Sequence, residues 1–250
     1  MIDIENDSLI KFAKISEITY KNPNESKQEF KDLGFVVVNF FDVKGAQAYL
    51  LREESTRKCM LSFRGTEVTE KSDILADMKA GMNIETPAGG KVHSGFRSEI
   101  NKIWPAIEQA TASIQILDIT GHSLGAAMAT IAAGRLQNKV ETLVTFGSPR
   151  VGNKQFVAGL EVCHYRVQNN CDSVTKVPPR LMGFRHHGTH VYMNYDGQFK
   201  NFNPWQRVKD MIRSRIAGWK NGERFLGVKD HLMANYIKQL QKPKDTTPIS

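Results

Sequence analysis

The sequence is poor in cysteine, in long apolar runs and in repeated or biased tracts. Only Cys59, Cys163 and Cys171 occur in 250 residues, and none forms a CxxC pair. So few cysteines exclude a disulfide-built scaffold and a cysteine zinc site. No run of 18 apolar residues occurs, so no membrane-spanning helix is expected. The opening stretch, MIDIENDSLIKFAK, is acidic and has no apolar core. No Sec signal is therefore expected, and a cytoplasmic location is the default expectation, with signal-less export compatible. No fixed-period repeat and no low-complexity tract interrupts the chain.

What is present is ordinary in amount and uneven in placement. Hydrophobic residues make up 40% and charged residues 24%, as in globular proteins with a sizeable core. That balance excludes disorder throughout. The net charge is +8, which raises nucleic acid, a membrane surface or solubility as its purpose. Residues 1–172 hold 20 Lys and Arg against 21 Asp and Glu, whereas residues 173–229 hold 11 against 3. The basicity thus belongs to one C-terminal stretch. It carries no RNA- or DNA-binding motif, so a nucleic-acid partner is not expected.

The apolar pattern predicts a helix over 4–20 and a loop around Asn22-Pro23-Asn24. Strands are expected over 34–40, 46–51 and 58–63, a helix over 92–112, and a buried strand over 114–120. An Ala-rich helix over 126–136 follows, then β-rich runs over 140–146, 162–167 and 189–195. Strands alternating with helices imply an α/β fold with a mostly parallel sheet covered on both faces.

The sharpest motif is Gly121-His122-Ser123-Leu124-Gly125, a G-x-S-x-G string between a predicted strand and a predicted helix. This is the context of a nucleophile elbow, with Ser123 on a strained turn. Side chains two residues either side would collide, so Gly121 and Gly125 are the expected glycines. The backbone N–H of Leu124, after the nucleophile, is an expected oxyanion donor. Such hydrolases order their triad Ser, then Asp or Glu, then His. Asp172, on a strand-end loop, is the expected acid; Glu161, Asp196, Asp210 and Asp230 are weaker. His93 and His122 precede the acid, His164 alternates within a strand, and His186 and His187 lie in a basic loop. His190 and His231 remain as bases.

With the elbow, the strings Leu61-Ser-Phe-Arg-Gly-Thr66, Val92-His-Ser-Gly-Phe96, Val144–Gly152 and Asp172–Pro179 make the chain resemble the class 3, fungal-type lipases of the α/β-hydrolase superfamily. The resemblance covers roughly residues 35–240. It implies a single α/β-hydrolase domain over 1–241, with a helical N-terminal segment at 4–33, a basic amphipathic segment at 201–229 and a flexible tail at 242–250. It places the catalytic His in an Asp-His-Leu string, favouring His231 over His190. It makes Thr66 the second oxyanion donor, through its N–H and hydroxyl, with Arg64 structural. It implies carboxylic ester hydrolysis without metal or organic cofactor. Acyl transfer to another acceptor, a phospholipase A1-like enzyme at anionic membranes, and a non-catalytic binding module are the alternatives.

The same resemblance places a short lid at 67–78, with Asp77 bracing the oxyanion loop. Its first seven residues carry four charges and one large apolar residue, Val68, unlike a lid that lies on lipid. In the basic stretch, Trp205, Val208, Ile212, Ile216 and Trp219 share one helical face. The expected arrangement packs that face on the sheet and leaves a solvated basic face outside; the alternative lays the helix on anionic membrane.

Overall fold

The structure, a computed structural model, describes residues 4–65, 81–84, 89–198, 202–220 and 226–243. Its centre is a seven-stranded sheet in the order β1-β2-β3-β6-β7-β8-β9. These are β1 (Phe35–Val43), β2 (Ala46–Glu53), β3 (Cys59–Phe63), β6 (Leu117–His122), β7 (Val140–Phe146), β8 (His164–Asn169) and β9 (Thr189–Met193). β1, β2 and β3 pair antiparallel, and every later neighbour is parallel. β4 (Met82–Ile84) and β5 (Lys91–His93) form a separate antiparallel pair, and α5 (Lys154–Ala158) and α7 (Leu226–Lys229) are single-turn helices between the larger elements.

Helices cover both faces, as parallel strands require. α3 (Ser94–Thr111) and α4 (Leu124–Arg135) supply Ile100, Ile103, Ile107, Met128 and Ile131 to one core, together with Leu117, Ile119 and Leu143 of the sheet. On the other face, α1 (Asn6–Ile18) and α8 (Met233–Leu240) bury Leu9, Phe12, Ile15, Tyr236 and Leu240 against Val144, Phe146 and Val167. Val144 and its neighbour Leu143 thus enter opposite cores, the period-two alternation of a strand covered twice.

Three local readings change. Asn22-Pro23-Asn24 is not a loop but the start of α2 (Pro23–Asp32). The Asn22 side chain accepts from the N–H groups of Asn24 and Glu25, and proline suits the first helical position, where its missing N–H costs nothing. The helix expected from residue 92 starts at Ser94, because Lys91–His93 pairs as β5 and the His93 ring caps the helix. α6 (Pro204–Lys220) turns its apolar stripe outward rather than onto the sheet: Trp205, Val208, Ile212 and Ile216 are exposed, while Ser214 is buried. The side chain of Trp219 lies outside the described residues.

The parallel strands matter most at their C-terminal ends. Ser123 follows β6, Gly147 follows β7 and Asp172 lies three residues after β8. Ligand sites of such sheets form along this edge.

Candidate active site

The elbow is built by strain and by missing side chains. Ser123 adopts φ 59° and ψ −124° between the end of β6 and the start of α4. Non-glycine residues rarely hold this backbone region, at a cost of about 1–3 kcal/mol. A Cβ on Gly121 would lie 2.5 Å from the carbonyl carbon of Gly125, and one on Gly125 would lie 2.2 Å from the Phe63 carbonyl oxygen. Both glycines are therefore required for the strand-to-helix reversal to pack against β3.

The structure brings Ser123, His231 and Asp172 into one chain of hydrogen bonds. The Ser123 hydroxyl lies 2.8 Å from His231 Nε2, and His231 Nδ1 lies 2.9 Å from Asp172 Oδ2. Asp172 is ready to accept at both oxygens. Oδ1 takes the Val174 N–H at 2.9 Å, and Oδ2 also takes the Tyr236 hydroxyl at 2.5 Å. Burial alone would raise the Asp172 pKa; the imidazole of His231 and the Tyr236 hydroxyl outweigh it and hold the carboxyl below its ordinary value. A carboxylate beside Nδ1 keeps that nitrogen protonated and leaves Nε2 free to take the serine proton.

Other groups hold the imidazole from behind. His122 Nε2 donates to the backbone carbonyl of His231 at 2.7 Å, and its Nδ1 accepts from the Tyr20 hydroxyl at 2.8 Å. That tautomer is neutral, in keeping with a pKa pushed down to about 3, chiefly by burial and then by His231. The Asp230 carboxylate accepts the Cys171 N–H at 3.1 Å and its carbonyl accepts from Asn169 Nδ2. It ties the loop of His231 to the loop of Asp172. Gly147, at φ +57°, lies where a Cβ would meet His231 Nδ1 at 2.8 Å and Asp172 Oδ2 at 2.9 Å.

The competing histidines are used elsewhere. His190 donates from Nε2 to Gln168 Oε1 at 2.9 Å and accepts Arg207 at Nδ1 at 2.7 Å. His164 bonds Thr145 and His187, and His186 bonds the Thr175 carbonyl. Asp196 pairs with Arg213, and Asp210 accepts the Tyr192 hydroxyl.

Leu124 opens α4 immediately after Ser123, so its N–H belongs to the positive end of a helix. Thr66, the lid stretch 67–78 and Asp77 lie outside the described residues. Arg64, just before them, donates to Gln47 Oε1 at 2.6 Å, a structural contact. A cavity of about 530 Å³ opens beside the elbow, lined by Arg64, Gly65, His93, Phe96, Leu124 and Met128.

Sequence reasoning missed Tyr236, Tyr20 and the positional work of His122 and Gly147. Gly147 sits inside a quoted motif string and His122 inside the elbow, so both were visible without their task. Tyr20 and Tyr236 are more than 100 and 60 residues from their partners and carry no motif.

Removing the Tyr236 hydroxyl tests the support of the acid. Tyr236→Phe is expected to lower kcat about tenfold, the worth of one hydrogen bond to a charged group. The variant is also less stable at neutral pH. A carboxyl whose folded pKa is depressed stabilises the fold above its unfolded value, here near 3.8, and that contribution is lost as pH falls through the folded value. The stability gap between wild type and variant therefore narrows below about pH 4, measurable by urea unfolding across pH. A gap that widens on acidification contradicts this role.

Residues 60–182 match the family model described as Lipase (class 3). A secreted mono- and diacylglycerol lipase 1 of Fusarium solani is 32% identical over 168 residues, covering 62% of this chain and 50% of the relative. A lipase of Rhizopus niveus is 31% identical over 179 residues, covering 64% and 45%. The chain spans about half the length of these curated relatives. The crystal structure of a lipase from Rhizopus microsporus var. chinensis superposes with a TM-score of 0.64 at 23% identity, covering 75% of this chain and 74% of that one. The likeness shows a shared α/β-hydrolase fold. The Fusarium relative is named as secreted, which overturns the cytoplasmic location expected from the sequence. An acidic stretch without an apolar core describes those residues alone and does not determine where the folded protein works. The match over 60–182, the order of the motif strings and the shared fold together make this chain similar to the class 3 lipases.

Proposed function

We propose that this chain hydrolyses carboxylic esters of lipids, as a triacylglycerol lipase or esterase, with Ser123 as nucleophile, His231 as base and Asp172 as acid. The observation that carries the reading is the hydrogen-bonded line from Ser123 Oγ through both nitrogens of His231 to Asp172. His231 Nε2 takes the Ser123 proton as Oγ attacks the ester carbonyl. The Leu124 N–H, with Thr66 as second donor, stabilises the oxyanion. His231 then gives its proton to the departing alcohol. A water molecule, deprotonated by His231, attacks the acyl-serine; the acid leaves and Ser123 regains its proton. No metal or organic cofactor enters these steps. The names of the relatives, one a mono- and diacylglycerol lipase, support an acylglycerol ester.

A p-nitrophenyl ester series of increasing chain length, extended to acylglycerols and phospholipids, tests the reading. Ser123→Ala is expected to remove activity down to about a millionth of wild type. Activity that survives Ser123→Ala rejects the mechanism.

A second reading, a phospholipase A1-like enzyme in contact with anionic membrane through residues 201–229, draws on the outward apolar face of α6. It uses the same three side chains and differs only in the ester presented to them. No nucleic-acid partner is proposed.

A further inference from the structure

α6 is amphipathic in the wrong sense for a helix that covers a core. At about 100° per residue, Trp205, Val208, Ile212 and Ile216 fall within about 80° of arc. A surface helix ordinarily buries such a stripe. Here Trp205 is 77% exposed, and Val208, Ile212 and Ile216 are 41%, 52% and 51% exposed. None of the four belongs to either core cluster.

The polar side of the helix is the side fastened to the protein. Asp210 accepts the Tyr192 hydroxyl at 2.8 Å, the Tyr195 N–H and the Asn170 side-chain amide. Arg207 donates to His190, and Ser214 is 2% exposed. Rotating the stripe inward would break each of these bonds and carry a carboxylate out of its donors. The outward face is therefore specified by partly buried polar contacts.

Charge borders the stripe on both sides. Lys209 and Arg213 lie along one margin and Arg215 along the other, all exposed. Arg213 shares its charge with Asp196 at 3.0 Å. Apolar residues including a tryptophan, flanked by cations, match an interfacial helix on anionic lipid. The anchors Asn170 and Tyr195 stand at the C-terminal ends of β8 and β9, the edge that bears Ser123, Asp172 and His231. Leu232, next to His231, is a further exposed apolar side chain.

We propose that α6 docks on an anionic lipid bilayer, with Trp205, Val208, Ile212 and Ile216 entering the boundary between headgroups and acyl chains and with Lys209, Arg213 and Arg215 meeting lipid phosphates. The proposal rests on the lipid-ester reading only for its purpose, since the surface lies outside the triad and binds without turnover.

Flotation with vesicles of phosphatidylcholine containing about 30% phosphatidylglycerol tests it, on the full chain in a Ser123→Ala background so that lipid is not consumed. Binding is expected to the anionic vesicles, to be weakened by about 0.5 M salt, and to be far weaker to pure phosphatidylcholine. Ile212→Asp/Ile216→Asp is expected to lower the partition coefficient at least about 30-fold. With Ser123 intact, the same pair should leave the thermal midpoint near that of wild type and hydrolysis of a soluble short-chain ester within about twofold of it. Three results overturn the proposal. One is no binding of the parent to anionic vesicles. Another is equal binding by the double variant. The third is a concentration-dependent dimer, seen by sedimentation, that the double variant abolishes, which would make the stripe an interface between two copies. Vesicle binding without hydrolysis of any ester would reject the enzyme reading and leave the docking surface standing.

Discussion

Replacing His231 with alanine is expected to lower kcat on a soluble p-nitrophenyl ester by about 10⁴- to 10⁶-fold, while His190→Ala stays within about tenfold of wild type. The contrast follows from what each ring touches. His231 spans Ser123 and Asp172 with both nitrogens. The nitrogens of His190 are occupied by Gln168 and Arg207. Loss of His190 removes a half-buried polar link between β9 and α6, a cost to stability that leaves the reacting atoms in place. Steady-state kinetics on both purified variants, with thermal midpoints recorded alongside, separates the two roles. Comparable losses of kcat in folded variants would mean that the base is misassigned.

Gly147→Ala is expected to cut kcat by at least about 100-fold, although Gly147 donates no side chain to the chemistry. A methyl group at this position would stand 2.8 Å from both Nδ1 and Cε1 of His231 and 2.9 Å from the Asp172 carboxylate. These neighbours are the hydrogen-bonded pair itself, buried on all sides, so neither can withdraw without lengthening their bond. The left-handed backbone at φ +57° adds strain for any L-residue, about 1–3 kcal/mol in all. Gly45→Ala is the control. Its φ is +82°, yet nothing lies within 4 Å of the added Cβ, so it pays the backbone cost and keeps its activity. Measured kcat and urea midpoints for the two variants decide the matter: a Gly147→Ala protein with wild-type kcat would show that the imidazole is not wedged against this turn.

The elbow was legible because its causes are local. Gly121 and Gly125 flank Ser123 in sequence, and the collisions they avoid involve each other and the adjoining strand β3. Asp172 was legible from its place after a strand, since the ends of parallel strands converge on one edge. The support of the triad was not. Tyr236 reaches Asp172 across 64 residues, and Tyr20 reaches His122 across 102. Nothing in either neighbourhood marks the contact. His122 was set aside as a base because it precedes the acid. It nevertheless grips the His231 carbonyl, a task that chain order does not reveal.

The sequence by itself determined the fold class, the strained serine with its glycines, and an acid at Asp172 followed by either His190 or His231, because short-range sterics and strand–helix periodicity are written in neighbouring residues. It also determined that residues 201–229 carry an apolar stripe beside a basic margin. Only the tertiary structure decided which histidine meets Ser123 and which way that stripe faces. Periodicity sets the angle between side chains on one helix, but burial depends on what lies opposite. Here the buried donors around Asp210 outbid the core for the inward face, leaving Trp205 and its neighbours to solvent.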